Sequence, residues 1–218
     1  MIKYVFLDMD GTLVDSERYY TDGTYRYMKE DFNYKGPKEA VYEIIGTSMY
    51  QTGQIIKRLL KSDLSVEEIL SYNDRFFSER MSLDYSEYIF KEVRESLKEL
   101  KEMGLKLALC SGSSKELMYK FIKSCDIEGI DYIISMDECQ GHKPDPDIYL
   151  QALAFFKAQR SEVIVFEDST SGIKAAKNAG LYTAARKDKR FGIDQSEADV
   201  KLDDMMELVR LIREINNG

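Results

Sequence analysis

Short apolar runs separated by helical patterns constrain the fold of this chain more than any other feature. The runs cover residues 3–7, 105–110, 132–134, 163–166 and 181–184. Their apolar character is nearly continuous rather than alternating, which is typical of strands whose two faces are both covered. Strands that alternate with helices in this way favour a parallel sheet. The pattern therefore predicts an α/β fold whose core is a doubly wound, parallel, Rossmann-like sheet.

The interval between the first two runs is far longer than a single crossover connection requires. One helix across residues 86–103 would complete that connection, and Gly104 would end it. Helical patterns in the rest of the interval cover residues 18–32, 50–60 and 66–81. We therefore predict an inserted α-helical cap domain at residues 15–85 and a catalytic core formed by residues 1–14 and 86–218.

The charge balance of the chain limits its partners. The formal net charge is −8, which argues against nucleic acid and against anionic membranes, because both repel an acidic surface. No apolar run approaches the roughly 20 residues that a membrane-spanning helix needs. The three cysteines fit no metal-binding spacing, so we expect reduced thiols and a cytoplasmic protein. We expect the partner to be a small molecule and the protein to be a monomer or weak dimer.

Two aspartates stand directly after the first apolar run. Asp8 and Asp10 are separated by one residue in the segment VFLDMDGTLVDSE, so on an extended chain both side chains project to the same face. Two carboxylates this close repel each other, and a bound cation would relieve the repulsion. A single aspartate here would more commonly be a turn or capping residue. The pair at the carboxyl end of the first strand favours a functional site, because doubly wound sheets bind ligands at that edge.

Three further segments place polar side chains after later strands. In CSGSS, the Ser111 hydroxyl and the backbone amides that follow it, beginning with Gly112, could cradle a phosphate oxygen. GHKPDPD carries Lys143 in a proline-stiffened loop, and VFEDST carries Glu167 and Asp168 at a strand exit. Each alone has an ordinary explanation as a helix cap, a solvated lysine or a turn. Together they predict acidic pairs, a hydroxyl and an ammonium around one crevice.

These motifs resemble those of the haloacid dehalogenase superfamily, in the β-phosphoglucomutase-like branch with a helical cap after the first core strand. DMDGT matches the first motif, Ser111 the second, Lys143 the third and EDS the fourth. The resemblance covers essentially the whole chain, and its motifs are highly specific in combination. It implies that Ser111, Gly112 and Lys143 hold phosphoryl oxygens.

The resemblance also implies a mechanism that depends on Mg²⁺. Asp8 would be the nucleophile that forms an aspartyl-phosphate, ionised at neutral pH, and Asp10 would be the general acid and base. Magnesium would bind the Asp8 carboxylate, the backbone carbonyl of Asp10 and Asp168. Glu167 would orient metal-bound water from outside the ligand set.

The resemblance leaves two reactions open. Asp10 favours phosphate-ester chemistry, because the dehalogenases of the superfamily do not need an acid at that position and its phosphonate hydrolases replace it. In the cap, Tyr20 and Met49 stand where the mutases carry a histidine and an arginine, and Arg75 lies near the place of a lysine. These three are the candidate substrate contacts. We therefore predict a phosphatase acting on a small phosphate monoester of the sugar-phosphate kind, with a β-phosphoglucomutase-type mutase as the alternative. A non-catalytic binding protein would be expected to have lost a motif residue, and none is lost.

Overall fold

The structure of the chain falls into two units. It is a computed structural model that describes residues 1–45, 47, 49–81 and 84–218. One unit combines Met1–Asp15 with Tyr85–Gly218, and the other is Ser16–Asp84. The second unit thus begins and ends one residue inside the insertion predicted at 15–85.

A six-stranded, all-parallel sheet forms the centre of the first unit. Its strands are β1 (Tyr4–Leu7), β2 (Lys106–Ser111), β3 (Tyr132–Ser135), β4 (Val163–Glu167), β5 (Tyr182–Arg186) and β6 (Val200–Leu202). The strand order is β3-β2-β1-β4-β5-β6. The predicted parallel α/β fold is confirmed. The sixth strand was missed, because it is only three residues long and the exposed Lys201 interrupts its apolar character.

Helices connect these strands and build the second unit. In chain order the α-helices of the described residues are α1 (Ser16–Phe32), α2 (Met49–Leu60), α3 (Val66–Arg80), α4 (Val93–Glu102), α5 (Lys115–Ser124), α6 (Asp147–Phe156), α7 (Thr170–Asn178) and α8 (Met205–Asn217). Shorter 3-10 helices cover Lys38–Ile44, Tyr85–Glu87, Met136–Glu138 and Arg160–Glu162. Among the residues that the structure describes, no helix has both the length and the apolar character needed to cross a membrane.

Burial explains why the central strands are apolar along their whole length. Val5 and Phe6 are neighbours on β1 and point to opposite faces of the sheet, yet neither is exposed to solvent. On one face, Phe6 and Val165 pack in a cluster with Tyr149 and Ala176 from α6 and α7. Burying each large apolar side chain stabilises the fold by about 1.5–3 kcal/mol. The sheet therefore gives the site at its edge a rigid support.

The first crossover helix is shorter than predicted. A helix over 86–103 was expected, whereas α4 begins at Val93. The residues before it pair instead with the segment that follows β1. Phe90 N donates to Leu13 O over 3.1 Å, and Ile89 forms an antiparallel bridge with Val14. These tertiary backbone contacts replace the first turns of the helix.

The second unit is helical throughout its described secondary structure. Its core contains Tyr27, Met28, Val41, Ile44, Ile56, Ile69 and Phe76. At the start of α3, Ser65 accepts a hydrogen bond from Glu68 N and its own backbone N–H donates to the Glu68 carboxylate. This reciprocal cap pairs the backbone N–H groups of Ser65 and Glu68 with each other's side-chain oxygens and fixes where the helix begins.

Candidate active site

Three carboxylates meet where β1 and β4 end. The register of this strand pair sets Leu7 opposite Phe166, so the residues that follow, Asp8 and Glu167, become neighbours. Oxygen atoms of Asp8, Glu167 and Asp168 all lie within 4.8 Å of one another, and all three residues are buried. The predicted convergence of acidic side chains at this edge of the sheet is therefore present.

Lys143 lies between two of these carboxylates. Its Nζ donates to Asp8 Oδ1 over 2.6 Å and to Glu167 Oε1 over 2.7 Å. A third contact, to the Cys110 carbonyl oxygen, spans 3.2 Å. The lysine side chain is only 9% exposed, so the solvated-lysine explanation does not hold for it.

Glu167 is surrounded by donors. Besides Lys143, its Oε1 accepts from the Tyr149 hydroxyl over 3.3 Å. Its Oε2 accepts from Asp168 N, Ser169 N and Ser169 Oγ at 2.9, 3.0 and 3.0 Å. Both oxygens are thus occupied by groups of the protein. A carboxylate held in this way is suited to balancing charge and orienting neighbours rather than to direct metal ligation.

Burial and neighbouring charges together shift the pKa values of the groups in the cluster. Burial raises the pKa of the Asp8 carboxyl to about 8, with Lys143 acting in the opposite direction. Burial, followed by the charges of Glu167 and Asp8, raises the pKa of Asp168 well above its ordinary value. For Lys143, burial alone would lower the pKa, but the carboxylates of Asp8 and Glu167 outweigh it and hold that pKa well above 10.5. Burial and the neighbouring carboxylates thus act against the expected ionised form of Asp8 by raising its pKa, and Lys143 acts in favour of that form.

The loop after β1 is shaped around Asp168. Thr12 Oγ1 donates to Asp168 Oδ1 over 3.0 Å. Gly11 has a φ of +78°, and a Cβ built there would lie 2.1 Å from Asp168 Oδ2. Gln195 Nε2 donates to the Asp168 carbonyl oxygen over 2.6 Å. Glycine is thus required twice at position 11, by its backbone conformation and by its close approach to the carboxylate.

Asp10 points toward the loop after β2. Its Oδ2 accepts from Ser113 Oγ over 2.6 Å and more distantly, at 3.5 Å, from Ser111 Oγ. Ser111 ends β2, is fully buried, and accepts a hydrogen bond from Ser113 N over 3.0 Å. Gly112 is exposed, and a Cβ there would meet no atom within 4 Å. The loop therefore brings hydroxyl groups to Asp10 and leaves open space beside Gly112.

The candidate contacts in the cap belong to the second unit. Tyr20 is 49% exposed, and its ring centroid lies 5.7 Å from that of Phe77. Met49 begins α2 and is 63% exposed. Gly46, three residues before Met49, lies outside the described residues. The Arg75 guanidinium lies 4.8 Å from the centre of the Tyr72 ring. Substrate contact by these side chains stays a prediction.

Sequence reasoning missed several groups that complete the site. They are the hydroxyls of Thr12, Ser113, Tyr149 and Ser169 and the side-chain amide of Gln195. Thr12 was within reach of prediction, since it belongs to the quoted DMDGT motif. The partners of Tyr149 and Gln195 lie 18 and 27 positions away along the chain, and no local pattern marks them.

The cluster fits a hard divalent cation. Asp8, Glu167 and Asp168 bring three carboxylates together against the single ammonium of Lys143. Carboxylate oxygens are the ligands that Mg²⁺ prefers, and a cation would offset the negative charge that remains. The absence of a side chain at Gly11 keeps the approach to Asp168 free of a clash. Asp8 and Asp168 can therefore ligate such an ion, whereas the oxygens of Glu167 beside them already accept hydrogen bonds from the protein.

Comparison with known proteins gives consistent matches. The model of one protein family, described as haloacid dehalogenase-like hydrolase, matches residues 5–186, which is most of the chain. The chain is 31% identical over 183 residues to the phosphorylated carbohydrates phosphatase of Thermotoga maritima, covering 83% of this chain and 82% of that protein. It is 26% identical over 216 residues to a protein of Caldanaerobacter subterraneus named "putative pyrophosphatase PpaX", covering 97% and 95% of the two chains. A solved structure described as "putative beta-phosphoglucomutase from Thermotoga maritima" superposes with a TM-score of 0.75 at 26% identity, covering 98% of this chain and 100% of that one.

Proposed function

The chain belongs to the haloacid dehalogenase-like hydrolase family, and we propose that it is a magnesium-dependent phosphatase of a small sugar phosphate. The resemblance to this family that the four motifs indicated is thereby confirmed. The family and the relatives named phosphatases make the enzyme a phosphoric monoester hydrolase. The observation that carries the finer proposal is the contact of Lys143 with Asp8 beside Asp168, at the edge where ligands bind.

The first half of the reaction transfers the phosphoryl group to the enzyme. An oxygen of the Asp8 carboxylate attacks phosphorus, and the bond from phosphorus to the ester oxygen breaks. Asp10 gives a proton to that departing oxygen, so that an alcohol rather than an alkoxide leaves. The Lys143 ammonium, 2.6 Å from Asp8 Oδ1, stabilises the negative charge that gathers around the nucleophile.

The second half returns the enzyme to its starting state. Water attacks the phosphorus of the aspartyl-phosphate, and Asp10, now a carboxylate, takes a proton from that water. The bond between phosphorus and the Asp8 oxygen breaks, which releases inorganic phosphate and the free carboxylate. Asp10 is protonated again and can act on the next ester.

Magnesium would be held by the Asp8 carboxylate, the Asp10 backbone carbonyl and Asp168. When bound, such an ion supplies positive charge that stabilises phosphoryl oxygens. Glu167 would act from the second layer, an assignment supported by the donors that already occupy both of its oxygens. Thr12, which donates to Asp168 Oδ1, keeps that carboxylate oriented.

Phosphate recognition would use the loop after β2 together with the lysine. The Ser111 hydroxyl and the Gly112 amide would bind phosphoryl oxygens, with the Lys143 ammonium opposite them. The space beside Gly112 supports this assignment. The helical unit, Ser16–Asp84, would serve as the cap, with Tyr20 and Arg75 among the side chains that select the substrate.

The substrate class rests on the relatives. One protein 31% identical to this chain is named a phosphorylated carbohydrates phosphatase, which favours a sugar phosphate. A phosphosugar mutase is the second candidate, favoured by the superposition on a structure described as a putative β-phosphoglucomutase. We further propose that the protein is cytoplasmic, since all three cysteines are free thiols, as is usual in a reducing compartment, and that it is a monomer or weak dimer.

A phosphate-release screen tests the proposal. Purified enzyme would be offered sugar phosphates, pyrophosphate, nucleotides and small phosphoesters, each with Mg²⁺ and with excess chelator. We expect release from at least one sugar phosphate only in the presence of Mg²⁺, and none with Asp8→Asn. Release that survives both the chelator and the substitution would overturn the proposed mechanism.

A further inference from the structure

Asp10 is held by hydroxyl groups on one side only. Both Ser113 Oγ, at 2.6 Å, and Ser111 Oγ, at 3.5 Å, contact the same carboxylate oxygen, Oδ2. Among the described residues, no group donates a hydrogen bond to the other oxygen, Oδ1. The two oxygens of this carboxylate are therefore not equivalent.

Ser113 is itself fixed by two strands. Its backbone N–H donates over 3.0 Å to the hydroxyl of Ser111 at the end of β2. Its carbonyl oxygen accepts over 2.8 Å from the hydroxyl of Ser135, the fully buried last residue of β3. Because donor and acceptor of its backbone are both tied to the sheet, the Ser113 hydroxyl reaches Asp10 from a preorganised position.

We propose that Ser113 is a positioning residue that makes Oδ1 the atom of Asp10 from which a proton leaves and to which a proton returns. This inference rests on the proposed function, in which Asp10 is the general acid and base. With Oδ2 engaged by Ser113, the proton that leaves with the ester oxygen departs from Oδ1 as the bond from phosphorus to that oxygen breaks. In the second half, Oδ1 takes a proton from water as the new bond from oxygen to phosphorus forms. Ser113 keeps its own proton throughout and orients the carboxylate in both steps.

The main test removes the hydroxyl and then restores it. Ser113→Ala should lower kcat about tenfold, because the carboxylate of Asp10 loses its orientation. KM should stay within about twofold, because Ser113 does not bind substrate in this proposal. Ser113→Thr keeps a hydroxyl and should recover most of kcat. A loss of folding is checked by the thermal unfolding of each variant.

A neighbouring serine supplies the matched control. The side chain of Ser114 caps α5 by accepting from Leu117 N and does not contact Asp10. Ser114→Ala should therefore leave kcat and KM unchanged while lowering thermal stability slightly. An equal loss of kcat in Ser113→Ala and Ser114→Ala would attribute the effect to a disturbed loop and overturn the proposal.

The leaving group separates orientation of Asp10 from other roles. An alkyl phosphate needs a proton on its departing oxygen, whereas p-nitrophenolate leaves without one. The rate of the first half, measured in a single turnover, should fall in Ser113→Ala for the alkyl ester and stay nearly unchanged for p-nitrophenyl phosphate. An equal fall with both esters would overturn the proposal, as would a tenfold rise in KM at unchanged kcat, which would assign Ser113 to phosphate binding.

Failure of this inference differs from failure of the proposed function. An enzyme inactive as Asp10→Asn but unaffected as Ser113→Ala would overturn the inference alone. An enzyme that hydrolyses no phosphoester, or that keeps its activity as Asp8→Asn, would overturn the proposed function and the role of Ser113 with it.

Discussion

Lys143 donates a hydrogen bond to Asp8 over 2.6 Å, although the two residues are 135 positions apart in the sequence. Their side chains are 9% and 8% exposed, so the pair is formed almost out of contact with water. A buried charge is costly without a partner, and here the ammonium also serves Glu167. The contact links the end of β1 to the loop before α6, and it makes the charge of Asp8, the proposed nucleophile, depend on a distant segment.

Removing the Lys143 ammonium should therefore lower the stability of the fold more than removing the charge of Asp8. Lys143→Met leaves two buried carboxylates without their cation, and we expect it to lower the free energy of unfolding by about 3 kcal/mol. Asp8→Asn relieves carboxylate repulsion and should not destabilise the protein. Urea unfolding of both variants and the wild type in excess chelator measures the difference. Equal stabilities of the Lys143→Met variant and the wild type would contradict the prediction.

Asp8→Asn should abolish turnover while the fold persists. An amide oxygen is a poor nucleophile toward phosphorus and cannot form the aspartyl-phosphate. Phosphate release is measured on a preparation whose sequence is verified by mass spectrometry, with circular dichroism as the check on folding. Near-normal turnover in such a preparation would remove the covalent mechanism.

The metal prediction distinguishes two adjacent carboxylates. Activity should require Mg²⁺ and be suppressed by Ca²⁺, whose larger size favours more ligands and looser geometry. Asp168→Ala should raise the Mg²⁺ concentration needed for half-maximal activity far more than Glu167→Gln. Undiminished activity in excess chelator would show the metal assignment to be wrong.

Glu167→Gln should instead act on stability. The groups that form hydrogen bonds with this carboxylate all donate to it, and a glutamine amide would set its own N–H groups against at least one of these donors. We therefore expect a loss of about 2 kcal/mol in the free energy of unfolding. Urea unfolding in excess chelator measures this loss without a contribution from bound metal. Equal free energies of unfolding for Glu167→Gln and the wild type would contradict the prediction.

Much of this arrangement was predictable because its signals are local. The strand before Asp8 was placed within one residue of β1, since a continuous apolar run marks a strand covered on both faces. The parallel order of strands then brings Asp8, Ser111 and Asp168 to one edge, whatever the details of packing. The motif segments taken together also predicted the Lys143 ammonium at this crevice, but not its hydrogen bond to Glu167.

What escaped prediction depends on contacts between distant segments. The bridge between Val14 and Ile89 shortens the first crossover helix, and nothing in the local pattern around Ile89 indicates it. The Ser113 hydroxyl reaches Asp10 from 103 positions away, and no local pattern around Ser113 predicts that contact. The helical patterns around Tyr20 and Arg75 predict that each lies on a helix, but they do not predict which ligand these side chains would contact.

A structural carboxylate far from the catalytic cluster gives a pH prediction. Asp131 accepts from Lys101 over 2.6 Å, from Lys106 over 2.9 Å and from Leu107 N over 2.9 Å. Burial alone would raise the pKa of Asp131, but these hydrogen bonds outweigh it and lower that pKa below 3.8. A carboxyl with a lowered pKa in the folded state stabilises the protein above its unfolded pKa, and this stabilisation is lost as pH falls through the folded value.

Asp131→Asn should therefore matter at neutral pH and not in acid. We expect it to lower the free energy of unfolding by about 1 kcal/mol at pH 7, because the amide cannot pair with both lysines. The gap between variant and wild type should narrow as the pH falls below 3.8. Urea unfolding across this range gives the gap directly, and a gap that widened in acid would contradict the lowered pKa.

The last prediction separates phosphatase from mutase. A mutase must hold a bisphosphate by its distal phosphate in either orientation, and a phosphate dianion without cationic or hydrogen-bonding partners is costly to bury. Met49 offers neither kind of group, and the Tyr20 hydroxyl offers no charge. We expect β-glucose 1-phosphate with a bisphosphate primer to yield little glucose 6-phosphate, while a sugar phosphate releases inorganic phosphate. Both products are followed in one reaction by enzymatic glucose 6-phosphate detection and phosphate assay.

A substitution at Arg75 helps to decide between the phosphatase and the mutase. Its guanidinium lies against Tyr72 on an exposed face of α3, so Arg75→Ala should leave the fold intact. In a phosphatase with a small monoester substrate, the change should alter KM alone, because the reacting phosphoryl group is held by the core. In a mutase that grips the distal phosphate through Arg75, it should abolish isomerisation and increase release of inorganic phosphate, because water would reach the phosphoenzyme before the intermediate is recaptured. Efficient isomerisation by the wild type, lost in Arg75→Ala, would overturn the phosphatase proposal in favour of the mutase.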